Sequence, residues 1–82
     1  MDNELVFEYN EGNLHYRVIF YTATANTKDY VDIQTFRNNR CVAAWWHHIK
    51  DGQVVWRNDN AMELTEGAKN YIQRLVKLRA YL

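Results

Sequence analysis

Two neighbouring histidines, His47 and His48, are the residues of this 82-residue chain that first suggest chemistry, because imidazole is the commonest protein ligand for a metal ion. Their spacing argues against it. Successive side chains of a strand point to opposite faces, so two adjacent rings cannot close on one ion. No C-x-x-C or H-x-x-x-H spacing completes a site elsewhere. Cys41 and His47 would share a face of one regular strand, but six residues of extended chain is roughly 20 Å, too far for a thiolate–imidazole dyad. Glu8 opposite His15 makes an acid–histidine pair without a nucleophile, since the chain contains no serine, and a surface pair of this kind is ordinarily structural. Three glycines form no phosphate-binding loop. The chain therefore reads as a non-enzymatic protein with no metal and no cofactor.

Composition narrows the class further. Ten basic and ten acidic residues cancel, so no net field draws the molecule to nucleic acid or anionic lipid. The charges are segregated: Asp2, Glu4, Glu8 and Glu11 precede every base, and Lys69, Arg74, Lys77 and Arg79 follow the last acid, Glu66. The acids solvate a first hairpin, and the bases suit the carboxyl end of a helix. A lone Cys41 cannot form an internal disulfide, which fits a reducing compartment or indifference to redox. The acidic N-terminus lacks a basic n-region, and no long apolar run follows, so neither a signal peptide nor a membrane span is expected; the default location is cytoplasmic. A chain this short holds one domain, residues 1–82, and buries only about 60–65% of its unfolded surface. Its 15% aromatic content suits a thin two-layer core.

The elements that must position these residues follow from periodicity. Residues 4–9 alternate, with Leu5, Phe7 and Tyr9 on one face. Asn10 to Asn13 is a turn cluster, and a strand follows from Leu14 to about Thr24. A four-residue loop pairs Tyr9 with Leu14 and Phe7 with Tyr16, leaving Glu4, Glu8, His15, Arg17, Ile19 and Tyr21 on the second face. Ala25 to Lys28 is a polar connection, and a third strand spans Tyr30 to Arg37. A tight turn at Asn38-Asn39 precedes a strand from Cys41 to Lys50, and Asp51-Gly52 is the strongest hairpin signal. The last element is a helix from Glu66 to about Ala80, N-capped by Thr65, with Ala68, Tyr71, Ile72, Leu75, Leu78 and Leu82 as its apolar stripe. An earlier start at Asn60 through a capping box is the alternative; Gly67 in a long helix interior disfavours it. The fold class is α+β: an antiparallel β-meander of four or five strands with one helix packed on one face.

One helix covers one side of a sheet, so the other stays open. Val31 and Ile33 belong to the core, which sends Tyr30, Asp32, Gln34 and Phe36 to the open side. Trp45 and Trp46 must diverge, as must His47 and His48. With a two-residue turn at Asn38-Asn39, Trp45, His47 and Trp56 join the open side; a three-residue turn sends Trp46, His48 and Arg57 there instead. Either way an aromatic face with a histidine, an acid and an amide is left uncovered. Tyr30, Asp32, Gln34, Phe36, Trp45, Trp46 and Arg57 are the candidate partner-binding residues, since aromatics and arginine anchor interfaces. A protein partner is expected, most simply a second copy in a C2 homodimer, as a regulatory module would use.

The alternative is single-stranded nucleic acid, with bases stacked on the aromatics and phosphates held by Arg17, Arg37, Arg40, Lys50 and Arg57. Met62-Glu63-Leu64-Thr65-Glu66, entering a helix after a meander, resembles the strand-to-helix junction of the single-stranded DNA-binding coactivator family. The resemblance covers about a third of the chain and implies a dimer with a basic groove. The neutral balance of this sequence departs from that family's basic one, which favours the protein partner.

Overall fold

The computed structural model describes residues 4–21, 30–57 and 63–79. Five strands, β1 (Glu4–Glu11), β2 (Leu14–Tyr21), β3 (Tyr30–Arg37), β4 (Arg40–Lys50) and β5 (Gln53–Val55), precede one helix, α1 (Glu66–Arg79). The strands pair in chain order as an antiparallel meander, and α1 packs on one face. This is the expected α+β architecture. The Ala25–Lys28 connection, the region around Asn60 and Leu82 lie outside the described residues.

Local chemistry sets each hairpin. Asn38 (φ 52°) and Asn39 (φ 65°), and then Asp51 (φ 53°) and Gly52 (φ 76°), take the left-handed backbone that two-residue turns need to match strand twist. Gly12 (φ 62°) does the same between β1 and β2. That first turn is shorter than the expected four-residue loop: Glu11 faces Leu14, Tyr9 faces Tyr16 and Phe7 faces Val18. The register thus moves by two residues, an even step that keeps every side chain on its expected face.

A finer departure lies in β4. Asn38-Asn39 makes the two-residue turn, with Arg37 opposite Arg40 and Phe36 opposite Cys41, but Thr35 faces Ala43. Val42 is an inserted residue, a β-bulge. Beyond it the faces exchange. Trp45 and His47 fall on the helix side, opposite Ile33 and Val31, while Trp46 and His48 fall on the open side, opposite Asp32 and Tyr30. The two-residue turn therefore does not send Trp45, His47 and Trp56 to the open face. Cys41 and His47 also lie on opposite faces, contrary to the regular-strand expectation.

The core joins Tyr16, Val18 and Phe20 of β2, Val31 and Ile33 of β3 and Val54 of β5 to Ala68, Ile72 and Val76 of α1. Each fully buried side chain of this size contributes about 1.5–3 kcal/mol relative to an exposed one. The helix buries its i, i+4, i+8 line, with Tyr71 and Leu75 flanking; Leu78 is 60% exposed and leaves the predicted stripe.

Thr65 caps α1, as expected. Its hydroxyl accepts the Ala68 N–H at 3.0 Å and donates to the Glu11 carboxylate, tying the helix start to the end of β1. Gly67 allows that approach, since a Cβ there would sit 2.6 Å from the Tyr9 hydroxyl. Glu63, at φ 55°, turns its carbonyl to the Tyr16 hydroxyl (2.6 Å) and its carboxylate to Arg37 (2.7 Å). At the other end Gln73 accepts the Val54 N–H and donates to the Gly52 carbonyl, clamping β5 to the helix.

Candidate functional site: the open face of the sheet

The open face is built by alternation from β1 to β4: Glu4, Val6 and Glu8, then His15, Arg17, Ile19 and Tyr21, then Tyr30, Asp32, Gln34 and Phe36, then Trp46 and His48. Its aromatic centre lies where β2, β3 and β4 meet. Tyr21 stacks on Trp46 with ring centroids 4.9 Å apart and planes 21° apart. Tyr30 meets Trp46 edge-on at 6.2 Å and lies 4.4 Å from His48. Trp46 remains 45% exposed in the midst of this array.

Beneath the rings sits a carboxylate. Asp32 shares a row with Ile19 and Trp46 and is only 8% exposed. The Tyr21 hydroxyl donates to its Oδ2 over 3.4 Å, a long bond. Burial pushes the Asp32 carboxyl above its ordinary range; the Tyr21 hydrogen bond and the Arg17 charge oppose the shift, and Glu4 adds to it. Burial first, and then the Asp32 charge, raises the Tyr21 phenol as well.

The remainder of the face is polar. Arg17 donates to the Gln34 amide oxygen at 3.3 Å. His15 is held between Asn10 Oδ1 (2.5 Å) and Glu8 Oε1 (2.7 Å), with Phe36 at 5.9 Å. An imidazolium satisfies both oxygens by donating twice; a neutral ring donates to Glu8 and, with the Asn10 amide turned over, accepts from its NH2 group. A shallow cavity of about 250 Å³ lies nearby between two hairpin tips, edged by Asn13, Asn38 and Asn39.

Of the seven residues expected at this surface, Tyr30, Asp32, Gln34, Phe36 and Trp46 lie together on the open face. Trp45 and Arg57 do not join them. Trp45 points to the helix side, yet it is 43% exposed at the rim of the sheet, with the Arg57 guanidinium over its ring at 4.9 Å. One indole was expected inside the core; neither is there. Tyr21 and His48 belong to the aromatic array. The hairpin register signalled Tyr21, whereas His48 depended on the bulge.

On the helix side, His47 is fully buried against Trp56, their rings edge-to-face at 5.7 Å. Among the described residues neither ring nitrogen has a partner at full hydrogen-bond geometry. Burial holds this imidazole below its ordinary range; the Trp45 backbone opposes that shift and the Arg57 charge reinforces it.

Among the described residues no three His, Cys, Asp or Glu side chains gather as metal ligands, and no helix is long and apolar enough to cross a membrane. Cys41 is exposed and free, its Sγ directed at the Ala43 carbonyl. No family model matches the chain, and no curated protein or solved structure matches it either.

Proposed function

We propose that this chain is a non-enzymatic protein-interaction module that docks a partner protein, in the simplest case a second copy, on its open sheet face. The observation that carries the reading is Trp46, half exposed at the middle of the Tyr21–Trp46–Tyr30–His48 array. A rigid, pre-stacked aromatic cluster loses little side-chain entropy on binding, and such residues dominate interface energetics. Its size and its use of a surface rather than a cleft suit a regulatory role.

Charge favours a protein over a nucleic acid. Glu4, Glu8 and Asp32 share the face with Arg17, so the aromatics are not flanked by a continuous basic track for phosphates. Sedimentation at rising concentration tests the reading, with wild type beside Trp46→Ala and Trp45→Ala. Association lost in Trp46→Ala and kept in Trp45→Ala is the expected result. Where the wild type sediments as a monomer, capture from its own cell extract should retain a protein on wild type and Trp45→Ala but not on Trp46→Ala. Submicromolar binding of single-stranded oligonucleotide with a steep salt dependence would reverse the conclusion.

A further inference from the structure

The two edges of the sheet are finished differently. At the β5 edge the Gln73 side chain occupies the Val54 N–H and the Gly52 carbonyl, and β4 carries a bulge at Val42 and Lys50 near its end. Bulges, lysines and covering groups are the usual devices by which an edge refuses another strand. β1 has no bulge, no proline and no basic residue across Glu4–Glu11.

Hydrogen-bond phase shows what β1 offers. A two-residue turn makes Glu11–Leu14 the closing bonded pair, so the odd-numbered residues of β1 bond β2. Glu4, Val6, Glu8 and Asn10 direct their N–H and C=O groups outward, and no described residue takes them up. Apolar surface accompanies this row: Leu5 is 40% and Val6 42% exposed, and Phe7 and Tyr9 are only partly buried at the rim of the core.

We propose that the outer edge of β1 is a strand-addition site for an extended segment of another protein that alternates basic and apolar residues. Charge selects this occupant. A second copy of β1 would add three more carboxylates to the three already on the strand, and like charges on facing strands repel. Lys or Arg opposite Glu4 and Glu8 pairs favourably on the open side. The alternate apolar residues fall on the helix side and cover Leu5 and Phe7. Glu11 is engaged by Thr65 and one Glu8 oxygen by His15, which leaves Glu4 and the second Glu8 oxygen as the selecting groups. The proposal does not rest on the aromatic-face reading, since it needs neither Trp46 nor Tyr30.

The test is titration of the full chain with a short alternating Lys–Val peptide, its Glu–Val counterpart and a backbone N-methylated Lys–Val control. Wild type should bind Lys–Val about tenfold more tightly than either other peptide, the scale of one or two hydrogen bonds. Val6→Pro removes an outward N–H without touching the β2 ladder and should weaken binding by about tenfold. The Glu4→Lys, Glu8→Lys double variant, altering exposed side chains, should invert the charge preference and decides the matter should Val6→Pro not fold. Trp46→Ala should leave the titration unchanged. Equal binding of the Lys–Val and Glu–Val peptides, indifference to both β1 variants, or a wild-type dimer dissolved by Val6→Pro would each overturn the proposal.

Discussion

Acid should destabilise this fold through His47, and the size of the effect follows from its surroundings. The ring is fully buried on the helix side, packed on Trp56, with two unpartnered nitrogens and the Arg57 charge nearby. Burial above all, and then the Arg57 charge, favours the neutral ring in the folded state, against the Trp45 backbone. The unfolded chain titrates near the ordinary value of about 6.5. Because the folded value is depressed, stability is fully present above that pH, falls as the pH drops below it, and keeps falling until the folded value is reached. The loss between pH 7.5 and 5.5 is at most about 1.4 kcal/mol, the limit set by a ring that stays neutral in the folded state while the ratio of total to neutral histidine in the unfolded state rises tenfold. For a domain of this size that limit corresponds to a fall in Tm of no more than about 5–11 °C. Thermal unfolding followed by circular dichroism at several pH values measures it. His47→Leu should remove most of the slope. It should be no less stable at pH 7.5, since deleting two orphaned buried nitrogens offsets the lost contact with Trp56. An unchanged slope in His47→Leu, or an ordinary midpoint for His47 in the folded protein by NMR, would refute the reasoning.

Other expectations are narrower. Asp32→Asn should stabilise the protein at neutral pH. Burial raises the folded pKa of Asp32, so the penalty on its ionised form is present above that value and relieved as the pH falls through it toward about 3.9; the advantage of Asn should shrink over that range in chemical denaturation. Gln73→Ala leaves the Val54 N–H and the Gly52 carbonyl without their partner and should cost about 1–3 kcal/mol, with faster amide exchange in β5. Thr65→Ala removes the helix cap and should cost about 1 kcal/mol by urea unfolding, while Thr65→Ser should retain most of it.

The parts of the fold that were legible are those where local chemistry and pattern agree. Val31 and Ile33 marked the core side of β3, Asp51-Gly52 the last hairpin, and Thr65 with its downstream bases the helix. Gly12 within a cluster of turn residues fits either a two- or a four-residue loop. An even change of register leaves the apolar pattern intact, so periodicity could not choose between them. The bulge left no mark, because Cys41, Val42 and Ala43 contain neither glycine nor a turn-forming residue; hence the correct turn length led to the wrong indole. The exposure of Trp45 depends on how far the helix reaches across the sheet, a tertiary quantity that no window of sequence contains. Tyr30, Asp32, Gln34 and Phe36 were placed correctly because the strand carrying them lies upstream of the bulge.

Val42 therefore acts as a parity bit for the second half of the fourth strand. Drawing that residue into the regular ladder while keeping the Asn38-Asn39 turn would flip everything downstream: His48 would be driven inward in place of His47, and Trp46 would trade sides with Trp45. The hydrophobic content would be unchanged, but Tyr21 and Tyr30 would lose the ring they clasp. Deleting Val42 outright, by contrast, would remove the bulge and leave Ala43 opposite Thr35 and each later pair in place, so the faces of this stretch are set by the bulge rather than by the length of the strand.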